Sequence, residues 1–265
     1  MEQLLRNEKL PHIWCPGCGH GTILSSVVRC IKEVGLDPKN TVVVSGIGCS
    51  SRAPGYMDLY TLHTTHGRAI AFATGVKTSS PHLNVIVLTG DGDSLAIGGN
   101  HLIHAARRNI DLTVIIFNNS VYGMTSGQNS PSSPVDSKSA TTPFGNLERN
   151  FDACKLAMGA GATFVARSGS AHPFHLDKML AQGLKHKGFS IIDALSQCTT
   201  FYGRRNGFKT AADMLRWQKD NTQFNISTAK MDENKIPLGV FESNSSIPEY
   251  CETYHRFISG IKEEE

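Results

Sequence analysis

Short unbroken apolar runs alternate with apolar residues at helical spacing along most of the chain. Residues 41–46, 84–89, 111–117, 162–166 and 189–194 are runs of strand length. Between them, residues 19–36, 66–79, 94–108, 146–159 and 172–187 space their apolar positions as helices do. An extended arm precedes the first helix. Residues 122–145, rich in Gly, Ser, Thr and Pro, predict a long loop, a kind of segment that compact domains usually keep for function. Residues 211–219 predict one more helix, and the acidic tail 262–265 a frayed end. Repeated strand–helix alternation predicts an α/β fold with a doubly wound parallel sheet. Residues 1–200 are expected to form that domain and residues 201–265 an extension packed on it, with no internal repeat and no linker.

With 265 residues, 40% of them hydrophobic, the chain is long enough for a sizeable core. A formal net charge of +3 gives no reason to expect a nucleic acid or an anionic membrane as partner. No apolar stretch approaches the roughly 20 residues that cross a bilayer. The first residues lack the pattern of an export signal, so a cytoplasmic location is expected. In that compartment disulfides are rare, and the chain's seven cysteines point to metal binding or redox chemistry instead.

Two adjacent strand ends carry polar anchors. Gly90-Asp91-Gly92 closes the run at 84–89, and Asn118-Asn119 closes the run at 111–117. A strand–helix–strand unit of this length is parallel, so both anchors reach the carboxyl edge of the sheet, where open α/β sheets bind ligands. Magnesium takes about six oxygen ligands, several of them from water or substrate phosphates. Asp91 offers a carboxylate oxygen, Asn119 an amide oxygen and Val121 a main-chain carbonyl. Gly90 and Gly92 let the backbone turn and approach a phosphate, and the helix that follows adds partial positive charge. Alone, Gly-Asp-Gly is an ordinary turn; with the strand before it and the Asn pair one unit later, it resembles the thiamine diphosphate-binding motif.

The second informative stretch is Trp14-Cys15-Pro16-Gly17-Cys18-Gly19-His20. Two thiols three positions apart suit zinc, a dithiol pair or an iron–sulfur centre. Cys49 and Cys198 each follow a predicted strand and are candidate ligands at the same sheet edge. Cys30, Cys154 and Cys251 read as small buried hydrophobes. Four thiolates suit a [4Fe-4S] cluster or zinc equally by count. Beside thiamine diphosphate a cluster has a purpose, as an outlet for electrons.

Taken together, the motifs at 14–20, 47–50 (Ile-Gly-Cys-Ser), 66–68 (His-Gly-Arg), 90–92 and 118–125 (Asn-Asn-Ser-Val-Tyr-Gly-Met-Thr) resemble those of 2-oxoacid:ferredoxin oxidoreductase β subunits. Residues 201–206 and 214–218 look most like the 2-oxoglutarate branch. The resemblance implies cluster ligands Cys15, Cys18, Cys49 and Cys198, and Mg2+ ligands Asp91, Asn119 and Val121. It implies thiamine diphosphate contacts from Ile47, Gly48, Cys49, Ser50, His66, Gly90, Asp91, Gly92, Asp93, Asn119, Val121, Gly123 and Met124. Catalytic roles fall to His66 and Arg68, although His-Gly-Arg also serves simply to open a helix. Ser126 departs from the family, whose members often carry glycine or lysine there.

The implied reaction is oxidative decarboxylation of a 2-oxoacid to its coenzyme A thioester with reduction of ferredoxin, or the reverse fixation of carbon dioxide. The carboxylate that serves the pyrimidine ring would come from a partner α subunit, in a dimer of αβ heterodimers. Three alternatives stand beside this reading. One is the same chemistry on pyruvate or another 2-oxoacid. A second is a thiamine decarboxylase without electron transfer, and the third a zinc-stabilised binding subunit without activity. Arg52, Arg68 and partner residues are all candidates for a distal substrate carboxylate, and Arg204 and Arg205 form either a solvated pair or an attractant for an acidic ferredoxin.

Overall fold

The computed structural model describes residues 4–224 and 232–264. Helix α1 (His20–Val34) ends at Gly35, whose left-handed backbone (φ 76°) turns its N–H back to the Ile31 and Lys32 carbonyls. There follow β1 (Thr41–Ser45), β2 (Tyr60–His63), α2 (Ala69–Ser79), β3 (Asn84–Gly90), α3 (Gly99–Arg107) and β4 (Thr113–Asn118). Next come α4 (Ala153–Gly159), β5 (Phe164–Gly169), α5 (Pro173–Lys185) and β6 (Ser190–Leu195). The chain finishes with α6 (Ala211–Asp220), β7 (Thr222–Phe224), β8 (Ile236–Ser243) and α7 (Tyr250–Glu264).

Among the described residues all eight strands join one sheet in the order β2-β1-β3-β4-β6-β5-β8-β7. From β2 to β5 every pairing is parallel, as the alternation predicts. On one face pack Ile23, Val27 and Ile31 of α1 with Leu176 and Leu180 of α5. On the other pack Ile70 of α2, Leu102 and Ala106 of α3, and Ala157 of α4. Strand β4 is buried along its whole length, which is why it reads as an uninterrupted apolar run.

The far edge departs from expectation: β8 lies antiparallel to β5, making the sheet mixed. Pro237 and Gly239 within β8 hide it from a propensity reading. Edge strand β2 is mostly exposed and carries no apolar run to announce it. The helix expected at 146–159 starts only at Ala153, because the Asp152 carboxylate accepts the Cys154 and Lys155 N–H groups (3.0 and 3.1 Å) and caps it there. Gly67, left-handed at φ 70°, delays α2 to Ala69. Helix α7 was not expected; the Glu249 carboxylate starts it by accepting from Cys251 and Glu252 N–H (2.7 and 2.8 Å). It continues to Glu264, so the tail is helical where a frayed end was expected, and Glu265 lies outside the described residues. Among the described residues no helix is long and apolar enough to cross a membrane.

Candidate functional site

Four neighbouring parallel strands, β1, β3, β4 and β6, deliver their carboxyl-end turns to one edge. These turns carry Gly46–Ser50, Asp91–Asp93, Asn119–Met124 and Cys198. The start of helix α1 falls at the same edge with the arm at Trp14–Cys18, since Gly19 N–H donates to the Gln197 carbonyl just after β6 (3.2 Å). Side chains then fasten the arm down. Trp14 Nε1 donates to the Cys49 carbonyl (2.7 Å), Gln197 Nε2 to the Gly17 carbonyl (3.0 Å) and Thr199 Oγ1 to the Pro16 carbonyl (3.1 Å). Gly17 itself packs against Ala211, which leaves no room for a β-carbon.

A cavity of ≈ 360 Å³ opens at this edge, and every residue assigned from sequence to thiamine diphosphate contact lines it. Asp91 is 2% exposed. Its Oδ2 accepts the Ser130 and Ser132 hydroxyls at 2.6 and 2.5 Å. Burial nevertheless pushes its carboxyl above the ordinary range, more than those hydrogen bonds lower it. The Asn119 amide lies against the Val121 carbonyl (2.8 Å) and Asp91 Oδ1 (3.3 Å) and donates to both when its nitrogen faces them. Turned the other way, it places three oxygens together without a proton between them, a donor set that suits a hard divalent cation.

Asp93 is equally buried but fully occupied by protein. Its carboxylate accepts Gly67 N–H (2.5 Å) and the Thr89 hydroxyl (2.8 Å), and Oδ1 pairs with His66 Nδ1 at 2.9 Å. His66 is thereby aimed at the cavity. Gly92 is required where it is, since a β-carbon there would enter the Tyr122 ring. Arg68, expected in catalysis, does not line the cavity. Its guanidinium donates to the Ile97 and Gly67 carbonyls (3.0 and 3.3 Å), and the residue caps α2, in line with the helix-opening alternative. Arg52 is exposed and reaches the Met124 sulfur (4.0 Å) at the cavity wall.

A second cavity, ≈ 160 Å³, is lined by Cys15, Cys18, Cys49 and Cys198. It shares Cys49, Asn119, Gly123 and Met124 with the first. All seven cysteines are free thiols; Cys15 is exposed. Burial pushes the Cys18 thiol up to about 12 and Cys49 up to about 11, and neighbouring cysteines add to both. Four cysteines gathered at one cavity could bind as thiolates only to a cationic centre that offsets their charge. Cys30, Cys154 and Cys251 are buried elsewhere, in the apolar layers.

Sequence reasoning missed several residues here. His20, fully buried, lines the cofactor cavity with Nδ1 hydrogen-bonded to Ser196 Oγ at 2.9 Å. Burial lowers its pKa to about 3 and keeps the ring neutral. Tyr122, whose hydroxyl donates to the Gly92 carbonyl (3.3 Å), and Phe117 complete the wall. His20 and Tyr122 sat inside quoted motifs without a role. Ser130 and Ser132 carried no signal beyond the composition of their loop.

Residues 46–194 match the thiamine pyrophosphate enzyme C-terminal TPP-binding domain. The chain is 52% identical to the 2-oxoglutarate synthase subunit KorB of Methanothermobacter thermautotrophicus, over 94% of this chain and 88% of that one. It is 48% identical to the subunit of the same name from Methanocaldococcus jannaschii, over 98% and 97% of the two chains. Among solved structures, the 2-oxoglutarate:ferredoxin oxidoreductase of Magnetococcus marinus, with 2-oxoglutarate, coenzyme A and succinyl-CoA bound, superposes with a TM-score of 0.87 at 32% identity. That match covers 98% of this chain and 89% of the other. The chain belongs to the thiamine pyrophosphate enzymes and, within them, to the β subunits of 2-oxoacid:ferredoxin oxidoreductases, most like those of 2-oxoglutarate synthases.

Proposed function

We propose that this β subunit binds thiamine diphosphate, Mg2+ and a [4Fe-4S] cluster. With its α partner, in a cytoplasmic dimer of αβ heterodimers, it would convert 2-oxoglutarate and coenzyme A to succinyl-CoA and carbon dioxide while reducing ferredoxin, or run the reverse. The observation that carries this reading is the common wall between the two cavities: a site for the cofactor abuts a site made of four cysteines. When bound, thiamine diphosphate supplies the carbon nucleophile that makes decarboxylation possible, and the cluster accepts single electrons.

The chain's own part is placement. Asp91, Asn119 and the Val121 carbonyl would hold Mg2+, with Ser130 and Ser132 fixing the carboxylate. Ile47, Gly48, Ser50, Gly90 and Gly92 shape the cavity, and His66, held by Asp93, offers a ring at its wall. Arg52 is better placed than Arg68 for a distal substrate carboxylate. Cluster rather than zinc is favoured by company: beside thiamine diphosphate a cluster would offer an outlet for electrons, whereas structural zinc would have no evident task there.

The test is anaerobic purification with the partner subunit, followed by metal analysis and visible spectra. A brown protein with about four irons per chain, bleached by 2-oxoglutarate with coenzyme A but not by pyruvate, is expected. Bleaching by pyruvate alone would keep the chemistry and overturn the substrate. A colourless, zinc-containing protein would sink the electron-transfer reading.

A further inference from the structure

Phe144 and Leu147 are 99% and 91% exposed, the most exposed large apolar side chains among the described residues. They are not on a loose tip. Asn146 between them is 1% exposed. Its amide donates to the Ser133, Glu148 and Pro134 carbonyls at 2.9, 3.0 and 3.2 Å, and its oxygen accepts from Asn129 at 2.9 Å. The backbone is thus pinned in a form that holds both neighbours out in water. Large apolar groups held rigidly in solvent mark a surface that something else covers.

Position says what covers it. Phe144 and Leu147 line a groove of ≈ 830 Å³ together with Phe151 and Tyr122. Tyr122 is also a wall of the cofactor cavity, so the groove adjoins that cavity across this one ring. The same loop carries Ser130 and Ser132, the two hydroxyls on Asp91. A surface adjoining the proposed catalytic cavity suits the subunit that completes it.

We infer that the groove edged by Phe144 and Leu147 is where the α partner docks, an apolar segment of that subunit covering both side chains; this rests on the partner named in the proposed function. Central apolar anchors usually dominate such interfaces. The double variant Phe144→Ser, Leu147→Ser, co-expressed with the α subunit, should raise the concentration at which the complex dissociates about a hundredfold. Mass photometry over a dilution series reads this. Unchanged dissociation would overturn the inference. So would loss of pairing between αβ units with αβ itself intact, because a second copy of this chain would then be the occupant.

To guard against misfolding of the variant, a photo-crosslinking amino acid placed at position 147 in the otherwise unaltered complex gives an independent reading. An adduct with the α subunit is expected; an adduct with this chain, or none, counts against the proposal. Iron and thiamine diphosphate content of the unaltered complex separate the two failures. If both are present while crosslinking fails, only the docking surface is wrong. If neither is present, the function reading falls as well.

Discussion

Asp91 keeps a carboxyl where water does not reach it, and two serine hydroxyls are what the fold supplies in compensation. Groups that orient a metal ligand typically matter by ten- to a hundredfold. Ser132→Ala should therefore raise the Mg2+ concentration for half-maximal activity about tenfold with little change in kcat, measured by titrating Mg2+ into the complex. Arg52→Leu should raise KM for 2-oxoglutarate about tenfold and leave any turnover of pyruvate unaltered, since only the first substrate has a distal carboxylate. Equal effects on both substrates would remove Arg52 from that role. Asp91 and Asn119 were legible because a strand end fixes where its first residues point. Ser132 was not: it reaches Asp91 through a long loop whose path no periodicity describes. Ser126 is a partial case. Its departure from glycine was visible in the sequence, and its backbone is left-handed at φ 86°, a conformation glycine adopts most readily.

Between elements, the amino edge of the sheet is closed by a group the sequence did not announce. Asp111, just before β4, meets Lys77 at the end of α2 (2.5 Å) and Lys187 after α5 (3.1 Å), and accepts Gly188 N–H (3.1 Å). Burial alone would raise its carboxyl, but the two ammonium groups and the N–H outweigh it and hold the pKa below the ordinary range. A depressed carboxylate stabilises the fold above its unfolded pKa, and this contribution is lost as the pH falls through the folded value. Lys77 is 3% exposed. Lys77→Met should cost about 2 kcal/mol at neutral pH, since Asp111 keeps its other partners. The gap between variant and parent should narrow as the pH falls below the unfolded carboxylate value and close only in acid below the parent's depressed folded value, where Asp111 is protonated in both. Urea unfolding at the two pH values checks this; a gap independent of pH would show that lost packing, not charge, is responsible. The parallel elements around this buckle were readable from apolar runs. Strand β8 and helix α7 were not, because Pro237 and Gly239 disguise one and a capping Glu249 starts the other.

At the scale of the whole molecule, topology does what local sequence does not declare: it brings Cys15, Cys18, Cys49 and Cys198, spread over most of the chain, to one cavity. The strand ends made that gathering legible for Cys49 and Cys198. Cys198→Ser, purified anaerobically with the partner, should lose most of its iron while thiamine diphosphate, bound from the other side of the wall, is retained; loss of both together would mean the two sites fold as one. Between the cavities stands Gly123, where even a β-carbon would lie 3.5 Å from Cys49 Sγ and 3.7 Å from Cys198 Sγ. The other three cysteines are buried apart from this site, which leaves ligands for one cluster. A single cluster stores one electron, and each 2-oxoacid releases two. On the proposed chemistry the two electrons would then have to leave this chain one at a time, the first passing out before the second can enter.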